Sequence, residues 1–251
     1  QGDTVIKVEN LKKNFGALQV LDGISFELEK GKVLAVVGPS GTGKSTLLRC
    51  LNYLEKPSEG KITIGNISAD SKKIQKQEIY RLRAKTAMVF QNYNLFKNKT
   101  ALQNIMEPMI SVQGMEKKKA KEKAMEILQM IGLTEKRDSY PSQLSGGQQQ
   151  RIGIGRAMAV EPEVMLIDEP TSSLDPELVG EVLSLLYKLA QNHMTMIIST
   201  HEMSFAKNIA DKVIFLDQGK IIEEGEPEQF FTNPKTERAK QFLRKFIKEE
   251  T

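Results

Sequence analysis

At 251 residues the chain can bury a substantial core as one large domain, alone or with a subdomain. Charged residues make up 27% and hydrophobic ones 39%, which excludes a disordered chain, and no apolar run approaches the roughly 18 residues a membrane span needs. A formal charge of +4 is too small to argue for nucleic acid, and a single cysteine, Cys50, excludes an internal disulfide and suits a reducing compartment.

In chain order, Gln1-Gly2-Asp3-Thr4 lacks the pattern of a signal peptide. The first thirty residues alternate apolar and polar, as in Ile24, Phe26 and Leu28 against Ser25 and Glu27, and predict antiparallel strands with turns near Gly16 and Gly31. Val33–Val37 is a continuous apolar run, as a buried parallel strand requires. Similar runs recur at 164–167 and 194–198, separated by the amphipathic helix pattern of 177–190. Between about 100 and 159 the strand signal vanishes, and 116–131 carries helical spacing. A hairpin is expected around Asp217-Gln218-Gly219-Lys220, then a polar helical tail. Cys50 reads as a core residue and His193 as structural. The basic clusters at 72–85 and 117–123 read as solvated helix faces or as contacts to an anionic surface.

Gly38-Pro39-Ser40-Gly41-Thr42-Gly43-Lys44-Ser45-Thr46 follows the first apolar strand and precedes a helix expected over 45–54. That order suits phosphate: glycines free backbone N–H groups to curl around an anion, and the helix N-terminus adds its positive dipole. Lys44 would reach the β- and γ-phosphates and the Ser45 hydroxyl would ligate Mg²⁺. Asp168 ends the next apolar run, and Glu169 leaves the same sheet edge. With a phosphate loop present, Asp168 is the candidate metal carboxylate and Glu169 the candidate general base for an attacking water. Without one, Asp-Glu-Pro would be a helix-start turn. His201 follows the third parallel run and would emerge at the same edge, within reach of a γ-phosphate.

Leu144-Ser145-Gly146-Gly147-Gln148, lying upstream of Asp168-Glu169, resembles the signature motif of ATP-binding cassette (ABC) transporter subunits, and the matches run over nearly the whole chain. The resemblance implies an α/β P-loop NTPase core with a mostly parallel sheet, an N-terminal antiparallel β subdomain and an inserted helical subdomain. On that pattern 1–95 and 160–251 form the nucleotide-binding core and 96–159 the helical signature subdomain of a single domain. It also implies that Phe15 stacks on adenine, although from sequence alone Phe15 is equally a core aromatic. Gln91 corresponds to a glutamine that contacts Mg²⁺ and water and senses the membrane partner. Ser172-Ser173-Leu174-Asp175 corresponds to the D-loop, where Ser173 replaces the usual alanine with no expected effect on catalysis. Ser145, Gly146, Gly147 and Gln148 would grip the γ-phosphate held by a second, identical subunit.

Thr200-His201-Glu202-Met203 and Phe231-Thr232-Asn233-Pro234 look most like ATPases of polar amino-acid uptake systems. The implied protein hydrolyses ATP with Mg²⁺ at the cytoplasmic face of the cell membrane. It would be peripheral through transmembrane permease subunits, served indirectly by a substrate-binding protein, and would bind no nucleic acid. The rival readings are an exporter ATPase, a DNA-associated ABC ATPase and a non-hydrolysing regulator. The stretch between Gln91 and Ser145 is too short for long coiled-coil insertions, which disfavours the second. Gly153 and Gly155 stand where the family usually has alanine, so the helix after the signature is expected either to be softened or to pack where no methyl fits.

Overall fold

The structure, a computed structural model, describes residues 3–247. The signal-peptide reading at Gln1-Gly2 and the last four residues of the helical tail lie outside them.

Strands β1 (Thr4–Phe15) and β2 (Leu18–Glu29) form the expected hairpin about Gly16-Ala17. Their inward residues, among them Ile6, Leu11, Leu21 and Ile24, are fully buried. β3 (Val33–Val37) is buried along its whole length and leads through the glycine loop into α1 (Lys44–Leu51), which starts one residue earlier and ends three residues earlier than expected. Of the next elements, β4 (Glu59–Ile64), β5 (Ile67–Asp70) and β6 (Thr86–Val89) were not anticipated from the sequence, while α2 (Lys76–Ala84) falls in the basic cluster at 72–85 that was read as a solvated helix face. β4 and β5 complete an antiparallel sheet of order β2-β1-β4-β5.

α3 (Ala101–Ser111), α4 (Lys117–Met130) and α5 (Gly146–Ala159) follow with no strand between them. Then β7 (Val164–Asp168), α6 (Pro176–Gln191), β8 (Met196–Ser199), α7 (Met203–Ile209), β9 (Lys212–Asp217) and β10 (Lys220–Gly225) build the second sheet, of order β10-β9-β3-β8-β7-β6. All its pairings are parallel except β9 with β10. β8 starts two residues later than the apolar run because Met194 N–H closes a turn onto the Leu189 carbonyl (3.1 Å) and the Thr195 hydroxyl accepts the Gly31 N–H (2.8 Å).

Side chains alternate across each parallel strand, so both faces of the sheet are covered. Met165 and Ile167 join the apolar cluster of α3–α6, while Val164 and Leu166 join that of α1 and the antiparallel sheet. Each fully buried Leu, Ile or Val contributes about 1.5–3 kcal/mol of transfer free energy. α8 (Pro227–Thr232) and α9 (Glu237–Ile247) close the third cluster. Here the expected polar tail is corrected: Ala239, Phe242 and Leu243 of α9 pack on Phe215 and Phe230, and the Phe242 ring stacks 5.1 Å from that of Phe215.

Parallel alignment has one consequence for function. The loops that leave β3, β6, β7 and β8 all emerge at the carboxyl edge of one sheet, where ligand sites of α/β folds lie.

Candidate active site

The glycine loop is held by close backbone contacts. A Cβ on Gly38 (φ 152°) would lie 2.0 Å from the Leu216 carbonyl oxygen, so only glycine fits there. Gly43 adopts the left-handed conformation (φ 102°) that caps α1. Lys44, the first residue of that helix, is 6% exposed, and its Nζ donates to the carbonyls of Gly38 (2.5 Å) and Pro39 (3.3 Å). Burial lowers its pKa, opposed by the charges of Glu169 and Asp168. The Thr42 hydroxyl donates to the Pro39 carbonyl at 2.6 Å and stiffens the loop.

Asp168, the last residue of β7, is 2% exposed and its Oδ1 accepts the hydroxyls of Ser45 (2.8 Å) and Ser199 (2.9 Å). This set of hard oxygen donors fits Mg²⁺. Glu169 takes a left-handed turn (φ 43°), a conformation that costs a non-glycine residue on the order of 1–3 kcal/mol. Its N–H is fixed by the carbonyl (3.1 Å) and hydroxyl (3.0 Å) of Ser199. The Glu169 carboxylate lies 3.8 Å from Lys44 Nζ and accepts a hydrogen bond from His201 Nδ1 at 2.7 Å. That bond to Glu169 raises the His201 pKa against the opposing effect of burial.

A cavity of about 520 Å³ opens onto these groups, lined by Ser40, Gly41, Gly43, Lys44, Ser45, Thr46, Gln91, Glu169 and His201. Gly38, Pro39 and Thr42 complete the loop behind it, and Asp168 is reached through Ser45. Phe15 stands at the tip of β1, 45% exposed, which removes the core-aromatic alternative. Cys50 is buried, and burial pushes its thiol pKa up to about 12, in keeping with a core role.

Ser145, Gly146, Gly147 and Gln148 do not line the cavity. They start α5 instead. The Ser145 hydroxyl accepts the Gln148 N–H (3.1 Å), and the Gln148 side chain accepts the Ser145 N–H (3.0 Å), a capping box. Within one chain, then, the signature and the phosphate loop form separate surfaces.

Two residues at the site had no role in the sequence reading. Ser199, fully buried, joins Asp168 and Glu169 through one hydroxyl; its place at the end of a parallel strand was the available signal. Gln150, fully buried on α5, donates to the carbonyls of Pro170 (2.9 Å) and Phe90 (3.4 Å), linking the signature helix to the residues beside Glu169 and Gln91. The Ser173 hydroxyl, for which no effect on catalysis was expected, donates to Asn92 Oδ1 at 3.2 Å, one residue from Gln91.

A larger and more apolar groove, about 730 Å³, runs between α2, β6, α3 and α5. Exposed Tyr80 and Val112 flank it, and Arg156 in its wall donates to the carbonyls of Asn94 (2.9 Å) and Tyr93 (3.2 Å).

Comparison with known proteins adds an independent line. The family profile described as ABC transporter matches residues 21–172, more than half of the chain. A probable amino-acid import ATP-binding protein of Bacillus subtilis, YxeO, is 57% identical over 96% of both chains. The L-cystine import ATP-binding protein TcyC of the same organism is 51% identical over 97% of this chain and 99% of its own. Among solved structures, the ATP-binding cassette MJ0796, described as a dimer in a post-hydrolysis state bound to ADP and Pi, superposes with a TM-score of 0.77. It is 32% identical over 88% of this chain and 98% of that one.

Proposed function

Because the chain belongs to the ABC transporter family and is an ATPase of that family, we propose that it energises a membrane importer for amino acids, and for polar ones on the strength of the motifs at 200–203 and 231–234. The observation that carries the catalytic part is the convergence of Lys44, Ser45, Glu169 and His201 on one cavity. The names of the relatives, amino-acid and L-cystine import ATP-binding proteins, support the transport part.

In this reading the loop Gly38–Thr46 and the N-terminus of α1 bind the phosphates of ATP, with Lys44 turning from the Gly38 carbonyl to the β- and γ-phosphates. Ser45, Asp168 and Gln91 would hold Mg²⁺, which when bound neutralises phosphate charge. Glu169 takes a proton from water as its oxygen attacks the γ-phosphorus and the bond to the bridging oxygen breaks, leaving ADP and phosphate. His201 orients the Glu169 carboxylate. Phe15 stacks on adenine. Residues 96–159 act as a helical subdomain, coupled to the site through Gln150.

The separation of Ser145–Gln148 from the phosphate loop supports a site shared by two copies, each closing the other's nucleotide. The described dimer of MJ0796 supports the same arrangement. Among the described residues no helix is long and apolar enough to cross a membrane. In the importer reading, which the relatives' names support, the chain would sit at the cytoplasmic face through permease subunits, with a substrate-binding protein acting at a distance. We assign the permease contact to the groove beside Tyr80 and Val112, because Arg156 connects that groove to the segment carrying Gln91. Reconstituting the chain with its co-purifying membrane protein and measuring ATP-driven amino-acid flux tests the proposal. Uptake is expected; ATP-driven efflux, or hydrolysis without flux, would overturn the importer reading.

A further inference from the structure

We propose that Lys13 is a positioning residue for the nucleotide base: it covers one face of the Phe15 ring and holds that ring as a fixed stacking platform for a purine. The proposal rests on the reading that Phe15 stacks on adenine.

Lys13 and Phe15 are two residues apart on β1 and so share one face of the strand. Phe15 is the last residue of β1, paired with Leu18 across the hairpin turn, and nearly half exposed. A ring in such a place is free to change rotamer, and a ligand that needs it must bear the cost of ordering it. Lysine side chains on a surface ordinarily extend their ammonium into water. Lys13 does not. Its side chain is only 13% exposed, and Nζ donates to the Lys56 carbonyl at 2.8 Å while lying 3.7 Å from the Glu55 carboxylate. In that position Nζ sits 4.8 Å from the Phe15 centroid, over the ring face, where the ring quadrupole attracts it.

The anchors place the platform relative to the phosphate end of the site. Glu55 and Lys56 belong to the segment that follows α1, the helix of the phosphate loop. That segment is clasped to β1 at two further points: Ser58 N–H donates to the Lys12 carbonyl (2.8 Å), and the Ser58 hydroxyl accepts the Asn14 N–H (3.0 Å). With Lys13 on one face, the opposite face of Phe15 remains for a base. Lys13 therefore acts on base affinity through Phe15, without touching phosphate.

The test is calorimetric binding of ATP and of inorganic tripolyphosphate, which has no base, to the full chain. Lys13→Met is expected to weaken ATP by about five-fold, the scale of ordering one side chain, and to leave tripolyphosphate within about two-fold. In a Phe15→Ala background Lys13→Met should add nothing further. Glu55→Gln loosens only one anchor and should weaken ATP by about two-fold, which keeps the test open if Lys13→Met folds poorly. If Phe15→Ala weakens ATP but Lys13→Met and Glu55→Gln do not, the proposal fails while the stacking reading stands. If Phe15→Ala leaves ATP affinity unchanged, the stacking reading fails and the proposal with it. Equal weakening of both ligands by Lys13→Met would make Lys13 a general charge or a structural residue, and would also overturn it.

Discussion

Glu169 and His201 meet at 2.7 Å, carboxylate oxygen to ring Nδ1, across the carboxyl edge of the parallel sheet. Glu169 is brought there by a left-handed turn that Ser199 holds from both its carbonyl and its hydroxyl. With Glu169 ionised, Nδ1 carries the proton, so the pair presents one carboxylate oxygen in a fixed direction.

That contact predicts a pH dependence. Its hydrogen bond to Glu169 raises the folded-state pKa of His201 above the ordinary histidine value. The resulting stabilisation is fully present below the unfolded pKa of about 6.5 and is lost as pH rises through the folded value. Melting temperatures of the wild type and His201→Gln, taken from pH 6 to 9, should therefore converge toward the alkaline end. A difference that grows with pH would contradict the pairing.

Removal of the Ser45 hydroxyl should affect metal use before it affects nucleotide binding. Ser45 and Ser199 both donate to the same oxygen of Asp168. In Ser45→Ala the carboxylate keeps Ser199 but loses its neighbour at the metal position. The Mg²⁺ concentration for half-maximal ATPase activity is expected to rise by about ten-fold or more, judged against the usual cost of disturbing a metal's surroundings. An unchanged Mg²⁺ titration would remove Ser45 from the metal site.

Gly153 and Gly155 were expected to share one explanation, and the structure separates them. A methyl on Gly155 would lie 3.0 Å from Ile127 Cγ2 and 3.2 Å from Ile131 Cδ1, whereas one on Gly153 meets nothing closer than 3.7 Å. Gly155→Ala should lower the melting temperature, since overpacking costs about 1–3 kcal/mol against a helix gain near 1. Gly153→Ala should raise it, by up to about 1 kcal/mol of stability.

Val112→Glu places a charge at the edge of the apolar groove, whose lining shares no residue with the cavity at the phosphate loop. Basal ATPase activity of the isolated chain should be retained, while co-purification with the permease falls. If the permease is retained at wild-type yield, the groove is not its contact.

The parallel strands were legible because burial on both faces leaves an unbroken apolar run, as in Val33–Val37. Lys44, Ser45, Asp168, Glu169 and His201 were legible as candidates because each ends or follows such a strand, whereas Phe15, Gln91 and Ser145–Gln148 were reached only through the family resemblance. β4 and β5 were missed although the signal was present: Ile62, Ile64, Ile67 and Ala69 alternate about Gly65-Asn66, a two-residue hairpin turn. β6 is too short to stand out, and only its pairing with β7 defines it. Gln150 and Ser199 act through contacts across the fold, at sequence separations of 60 and 31 residues, which no local pattern records. The amphipathic character of α9 was obscured by its many charges, while three buried residues on one face decide its packing.

The central claim is an ATPase whose nucleotide site is completed by a second copy, and Glu169→Gln tests it most directly. The substitution keeps the shape of the side chain and removes the proposed base, so ATP should bind and remain unhydrolysed. Turnover should fall by about 100-fold or more, and the chain should elute from a sizing column as a dimer with ATP and as a monomer without it. Adding Ser145→Arg, on the surface remote from the chain's own phosphate loop, should restore the monomer. Undiminished hydrolysis by Glu169→Gln, or a chain that stays monomeric with ATP bound, would contradict the account.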